Sequence, residues 1–202
     1  MTQNSKTNSQ SANATIGIIG GTGLYSLEGL IIDSTVPVET PYGAPSAPIT
    51  IGEWESSTPG KKPIRVAFLP RHGTHHSILP SEINFRANIW ALKSIGVRKI
   101  VSVSATGSLR KEIEPGHLAL PTQYLDFTKG QRKQTFFGDG IVAHISSAHP
   151  VCESGTRQLE KLAAKLEIPH HSFTTYACVE GPRLGAQAES FFLRQIGCDI
   201  VA

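Results

Sequence analysis

Only three cysteines, Cys152, Cys178 and Cys198, occur in 202 residues. An odd number without Cys-x-x-Cys spacing favours neither a disulfide framework nor a thiolate zinc site, and it points to a reducing, cytoplasmic compartment. Aromatics are scarce at 7%, and no lysine/arginine block exists. With a net charge of +3, the chain falls far short of a nucleic-acid stripe but suits a small anionic ligand. No apolar run approaches the roughly 18 residues of a membrane span. Also absent are a Gly-x-Ser-x-Gly nucleophile elbow and paired carboxylates. A mechanism whose attacking group is a bound phosphate needs no protein nucleophile. His72, His75 and His76 lack a carboxylate nearby and fit no helix face, so neither a metal nor a cofactor is expected.

Residues Met1 to Thr15 are almost wholly Ser, Thr, Asn, Gln and Ala. They lack the apolar segment of a signal peptide and read as a disordered polar tail. The chain is 39% hydrophobic, and the remainder, 16–202, is long enough to bury the core of one domain.

What is present begins at Ile16-Gly17-Ile18-Ile19-Gly20-Gly21-Thr22-Gly23-Leu24, a short apolar run opening into a glycine turn. Glycines let backbone N–H groups approach a ligand and form an anion-binding concavity, to which Thr22 adds a hydroxyl. The spacing is not the dinucleotide Gly-x-Gly-x-x-Gly, because Ser26 stands where a third glycine belongs. It is no P-loop either, so the anion fits free phosphate better than a nucleotide tail. The alternative is a plain turn.

Further strands are expected at Ile64–Leu69, Lys99–Val103, Leu118–Leu120 and Thr174–Val179. Helices are expected from Ser81 to a stop at Gly96, from Ser154 to Leu166, and from Ala186 to Ile196 with a stop at Gly197. Thr40–Pro45 and Glu55–Lys62 read as hairpin-like loops. Alternating strands and helices imply an α/β layered domain. Cys198–Ala202 reads as the start of a buried strand, with a final β-α unit expected beyond it.

Two more turns come directly after strands. Arg71 and His72 offer a planar charged fork and a donor for phosphate oxygens. Ser104-Ala105-Thr106-Gly107-Ser108 offers a hydroxyl and turn amides where α/β sheets gather ligands. An exposed basic loop and an ordinary turn are the alternatives. Glu180 and Arg183 suit either an internal ion pair or ligand contact. His144 and His149 suit a structural role, a ligand edge or a neighbouring subunit.

The ordered set Ile-Gly-Ile-Ile-Gly-Gly-Thr-Gly-Leu, Glu-Thr-Pro-Tyr-Gly-Ala-Pro-Ser, Arg-His-Gly-x-x-His, Asn-x-x-Ala-Asn-Ile-Trp-Ala-Leu-Lys, Ala-x-Gly-Ser-Leu-Arg and Glu-Gly-Pro-Arg resembles the 5′-methylthioadenosine phosphorylases of the trimeric purine nucleoside phosphorylase family. The resemblance covers residues 16 to 202. It implies a three-layer fold, a central mixed β-sheet flanked by helices, lacking the last β-α units. It also implies a homotrimer that phosphorolyses 5′-methylthioadenosine to adenine and 5-methylthioribose 1-phosphate, with inorganic phosphate as co-substrate. By the family's pattern Thr22, Arg71, His72, Ser104 and Ala105 match phosphate-binding positions. His144 matches a histidine that reaches across a subunit boundary toward the 5′-thio group.

Two departures stand out. Leu184-Gly185 replaces a Phe-Ser pair that meets the purine, and with Tyr176-Ala177-Cys178 it resembles the methylthioinosine phosphorylases. The chain also stops before the family's Met-Thr segment and its later Asp-containing loop, which the resemblance implies carries the general acid. On that ground the chain alone is expected to be a poor phosphorylase. Alternatives are methylthioinosine or general purine nucleoside phosphorolysis, and a non-catalytic truncated product.

Overall fold

The computed structural model describes residues 14–55, 60–128 and 132–202. The expected polar tail lies outside the described residues except for Ala14 and Thr15, as does part of the Glu55–Lys62 loop. The residues group into two compact units, one ending at Ser104 and one beginning at Ala105.

The first unit holds β1 (Ile16–Gly20), β2 (Leu30–Val36), β3 (Ile49–Trp54), β4 (Ile64–Pro70), α1 (Phe85–Ser94) and β5 (Lys99–Val103). Its sheet order is β2-β3-β4-β1-β5. The strand β1 runs parallel to both β4 and β5, whereas β2, β3 and β4 are antiparallel. Parallel pairing of β1 on both sides suits its short, unbroken apolar run. Register sets where these strands stop: Gly20 pairs with Pro70 on one side and Val103 on the other. Three strands therefore end level, and the three turns after them share one sheet edge. Strands β2 and β3, which the sequence reading did not expect, pair antiparallel with one another, and β3 pairs with β4.

The core of this unit joins Ile49, Ile51, Ala67 and Leu69 from the sheet to Ala91 and Leu92 of α1. The helix begins at Phe85, not Ser81. Pro80–Glu82 forms a separate 3-10 turn, and Asn84 supplies the cap by accepting the Ala87 N–H at 3.1 Å. Asparagine at this position satisfies an orphan N–H of the first helical turn. The Asn-x-x-Ala-Asn motif is structural throughout. Asn84 Nδ2 donates to Tyr42 O at 2.6 Å, and buried Asn88 accepts from Ser46 N and donates to Ser46 Oγ. These bonds pin the Thr40–Pro45 turn to the helix.

The second unit holds β6 (Gly107–Ser108), β7 (Leu118–Asp126), α2 (Glu153–Lys165), β8 (His170–Cys178), α3 (Gln187–Gln195) and β9 (Ile200–Val201). Its sheet order is β6-β9-β8-β7. Strand β7 continues past the expected Leu120, and β8 begins before the expected Thr174, because the two pair along their full course. Leu109, Ala177, Leu193 and Cys198 form the buried cluster of this unit. The turn Ser104–Thr106 leads into β6 instead of a helix. Both mixed sheets with flanking helices agree with the α/β expectation.

Candidate functional site

Three turns meet at Gly21. Its N–H donates to Val103 O at 2.7 Å, which ties the glycine turn to the end of β5. The Arg71 N–H donates to Gly20 O at 2.9 Å, tying the same turn to the end of β4. A Cβ on Gly21 would stand 2.6 Å from Arg71 Nη1 and 2.7 Å from Ser104 Cβ. Nothing larger than hydrogen fits there. Thr22 comes next, on the exposed lip of the turn. The Arg71-His72 pair and Ser104, 32 positions beyond His72, are thus brought to one place at the glycine turn.

His72 is 4% exposed, and both ring nitrogens are engaged. Its Nδ1–H donates to Ile78 O at 2.9 Å, and its Nε2 accepts the Arg71 Nε–H at 3.2 Å. That pattern is the neutral imidazole. Burial lowers its pKa, and the nearby Arg71 and His76 charges lower it further against the opposing bond to Ile78. The ring's clearest work here is holding the Arg71 guanidinium, a role that sequence reading, which gave His72 a bond to the anion, did not assign.

The turn after β8 is organised by ion pairs. Glu180 and Arg183 are not partners. Glu180 accepts from Arg132 Nε at 3.0 Å, while Arg132 Nη2 also donates to Glu180 O at 2.9 Å and Val179 O at 3.3 Å. Glu180 Oε2 is buried without a hydrogen-bond partner. Arg183 instead forms a bidentate pair with Glu189 at 2.7 and 2.6 Å. Glu189 also accepts the Ala186 N–H at 2.6 Å. Arg183 first, then that backbone bond, pulls the Glu189 carboxyl down to about 2. Glu189 lies in the first turn of α3, where a carboxylate caps the helix and meets its positive end. Arg132 had no motif to mark it; only tertiary contact reveals it.

The remaining expected residues lie in the second unit. Ala105 is exposed at its start. His144 stands in an exposed stretch with Ile141, Val142 and Ile145, which are 63, 80 and 86% exposed. Leu184 is 93% exposed, and beside Gly185 only Glu189 Oε2, at 3.6 Å, would meet an added Cβ. Burial raises the Cys178 pKa, so this thiol stays protonated at neutral pH and is a poor nucleophile. Among the described residues no cluster of three or more His, Cys, Asp or Glu side chains is arranged for a metal, and no helix is long and apolar enough to cross a membrane.

Residues 15–202 match the family model described as the phosphorylase superfamily. The chain belongs to that superfamily. Within it, S-methyl-5′-thioadenosine phosphorylase of Geobacter sulfurreducens is 45% identical over 92% of this chain and 63% of its own. The Nitrosopumilus maritimus enzyme of the same name is 49% identical over 92% and 68%. Among solved structures, a methylthioadenosine phosphorylase from an antarctic soil metagenomic library matches with a TM-score of 0.85 and 46% identity, over 94% of this chain and 64% of that one. The Schistosoma mansoni methylthioadenosine phosphorylase in complex with adenine matches with a TM-score of 0.82 and 33% identity, over 94% and 73%. The chain therefore spans about two thirds of these superfamily members' length, and the nucleoside phosphorylase fold is shared across that span.

Proposed function

We propose that this superfamily member binds inorganic phosphate at the Gly21 turn and directs it in phosphorolysis of 5′-methylthioadenosine. The carrying observation is the convergence of Arg71 and Ser104 on Gly21, at the level ends of three strands. A phosphate oxygen attacks the anomeric carbon, and the bond from that carbon to the purine nitrogen breaks. The electron pair leaves with the base, which takes up, in net, the proton that hydrogen phosphate brings; the products are adenine and 5-methylthioribose 1-phosphate. As the glycosidic bond stretches, the sugar gains positive charge, and a phosphate dianion held close stabilises it. Positioning does most of the work. Arg71 supplies charge and a fork, Ser104 and Thr22 supply hydroxyls, and His72 orients Arg71. The family's pattern adds a turn N–H at Ala105. The reaction as written needs no protein nucleophile, metal or cofactor.

The names of the curated relatives favour methylthioadenosine. Leu184-Gly185 favours a second reading, methylthioinosine, because it departs from the Phe-Ser pair of the resemblance. The exposed apolar residues around His144 support a homotrimer in which that histidine serves a neighbouring site. Three free cysteines support a cytoplasmic location.

The test compares release of adenine from methylthioadenosine and hypoxanthine from methylthioinosine, with and without phosphate, alongside calorimetric phosphate binding. Phosphate-dependent release that Arg71→Ala abolishes is expected. A chain that binds no phosphate, or that binds it equally well without Arg71, overturns the reading.

A further inference from the structure

Two side chains outside the proposed phosphate set are joined to it by an unbroken path. Tyr25 lies on the turn leaving β1, three residues past Thr22, and His76 lies on the turn leaving β4. The Tyr25 hydroxyl and His76 Nδ1 are 3.0 Å apart, and the rings meet edge-on at 5.7 Å. The His76 ring sits 4.6 Å from that of His72, which holds Arg71 through Nε2. His76 is also kept at φ +52°, a left-handed conformation most side chains avoid. Such outliers persist only where the surroundings hold them.

The near ends of the same two turns are already joined, by the Arg71 N–H to Gly20 O bond. The Tyr25–His76 contact joins their far ends. Gly21 and Thr22 lie between the two pins.

Core packing does not account for this contact. Tyr25 is 40% exposed and His76 is exposed, so the pair buries little apolar surface. What it limits is the movement of the glycine turn relative to Arg71. A turn left loose must be ordered when the anion binds, and that cost is subtracted from affinity.

We infer that Tyr25 and His76 form a tether that preorganises the anion turn for inorganic phosphate, acting on Arg71 through His72. The tether deepens the proposed function and rests on it. Both are positioning residues, since neither belongs to the anion's own set of donors. The Tyr25 hydroxyl and His76 Nδ1 share one hydrogen bond.

The experiment titrates the full chain with inorganic phosphate by calorimetry and records thermal midpoints without phosphate. Tyr25→Phe and His76→Ala should each weaken phosphate binding by about three- to tenfold, the range of one net hydrogen bond. The double variant should be no weaker than either single variant, because both cut one connection. His76→Gln, which keeps an acceptor, should recover most of the affinity. Midpoints without phosphate should shift by less than about 2 °C. Unchanged affinity in both single variants, additive losses, or losses matched by falling midpoints would overturn the tether. Arg71→Ala, run in parallel, separates the two ideas. If it loses phosphate while the tether variants do not, only the tether falls. If the parent chain binds no phosphate, or Arg71→Ala binds it like the parent, both fall.

Discussion

The proposed anion turn after β1 and the Glu180–Glu189 turn after β8 are both glycine-bearing turns at strand ends, yet they hold arginine in different ways. In the first, Arg71 Nε donates to a neutral imidazole. In the second, Arg132 and Arg183 each meet a carboxylate. A guanidinium matched to a protein carboxylate is largely spoken for. One oriented by a neutral ring is held in place by a group that does not itself neutralise its charge. Position after a strand does not distinguish the two turns; the groups that hold each cation do.

The largest effect expected comes from filling the space at Gly21. Gly21→Ala puts a methyl group 2.6 Å from Arg71 Nη1 and 2.7 Å from Ser104 Cβ. Displacing the fork should weaken phosphate binding by about 100-fold, comparable to removing an oxyanion donor. Calorimetric titration measures it. The folded chain should also lose about 1–3 kcal/mol, because Ser104 Cβ cannot swing away as the end of the Arg71 side chain can. A large loss of stability with intact phosphate binding would show that Gly21 serves packing instead.

Arg132→Ala should do the reverse. It strips the Glu180 carboxylate of its partner where the other oxygen is already buried and unpaired. Loss of about 2 kcal/mol in unfolding free energy is expected, as for a part-buried charged hydrogen bond. Phosphate affinity should hold within about twofold, since Arg132 is not among the proposed phosphate donors. Denaturant titration and calorimetry on one sample give both values.

The same distinction separates what is legible in the sequence from what is not. The first turn announces itself because glycine, threonine and an Arg-His pair are local signals, each directly after an apolar run. No local signal shows that β1 pairs with β4 and β5 in registers that end at Gly20, Pro70 and Val103. In the second unit, Glu180 and Arg183 stand three apart and invite pairing. Glu189, held at the start of α3 by the Ala186 N–H, takes Arg183 instead. Arg132 reaches Glu180 across 48 positions, a separation no local pattern reports. Strand β2 is hidden for a related reason. Ile31 and Ile32 are both exposed, so β2 shows no period-two alternation to read.

Acid separates the two turns more finely. A histidine whose pKa is lowered on folding resists the proton that the unfolded chain accepts near pH 6.5. The stability that neutral His72 contributes is therefore present above pH 6.5 and lost as pH falls below it. Glu189 works in a lower window. Its carboxyl is held at about 2 against an ordinary 4.5, so its contribution persists above pH 4.5 and drains away as pH falls toward 2. Thermal midpoints across pH should show His72→Gln flattening the slope just below pH 6.5 and Glu189→Gln flattening only the acid limb. Overlapping windows would mean the two turns are not held by different chemistry.

The smallest effect on stability belongs to Leu184 and Gly185, and its smallness is the informative part. Leu184 is 93% exposed, and an added Cβ at Gly185 meets only Glu189 Oε2 at an ordinary 3.6 Å. Gly185 is not among the positive-φ glycines, so a side chain there meets no backbone strain. Leu184→Phe with Gly185→Ser should change unfolding free energy by less than about 0.5 kcal/mol, as for exposed positions generally. Nothing in the fold then demands Leu-Gly. If the pair exists for base recognition, the double variant should move the ratio of adenine to hypoxanthine release toward adenine while phosphate affinity stays put. An unmoved ratio would leave these two residues with no part in choosing the base, and the methylthioinosine reading would lose its support.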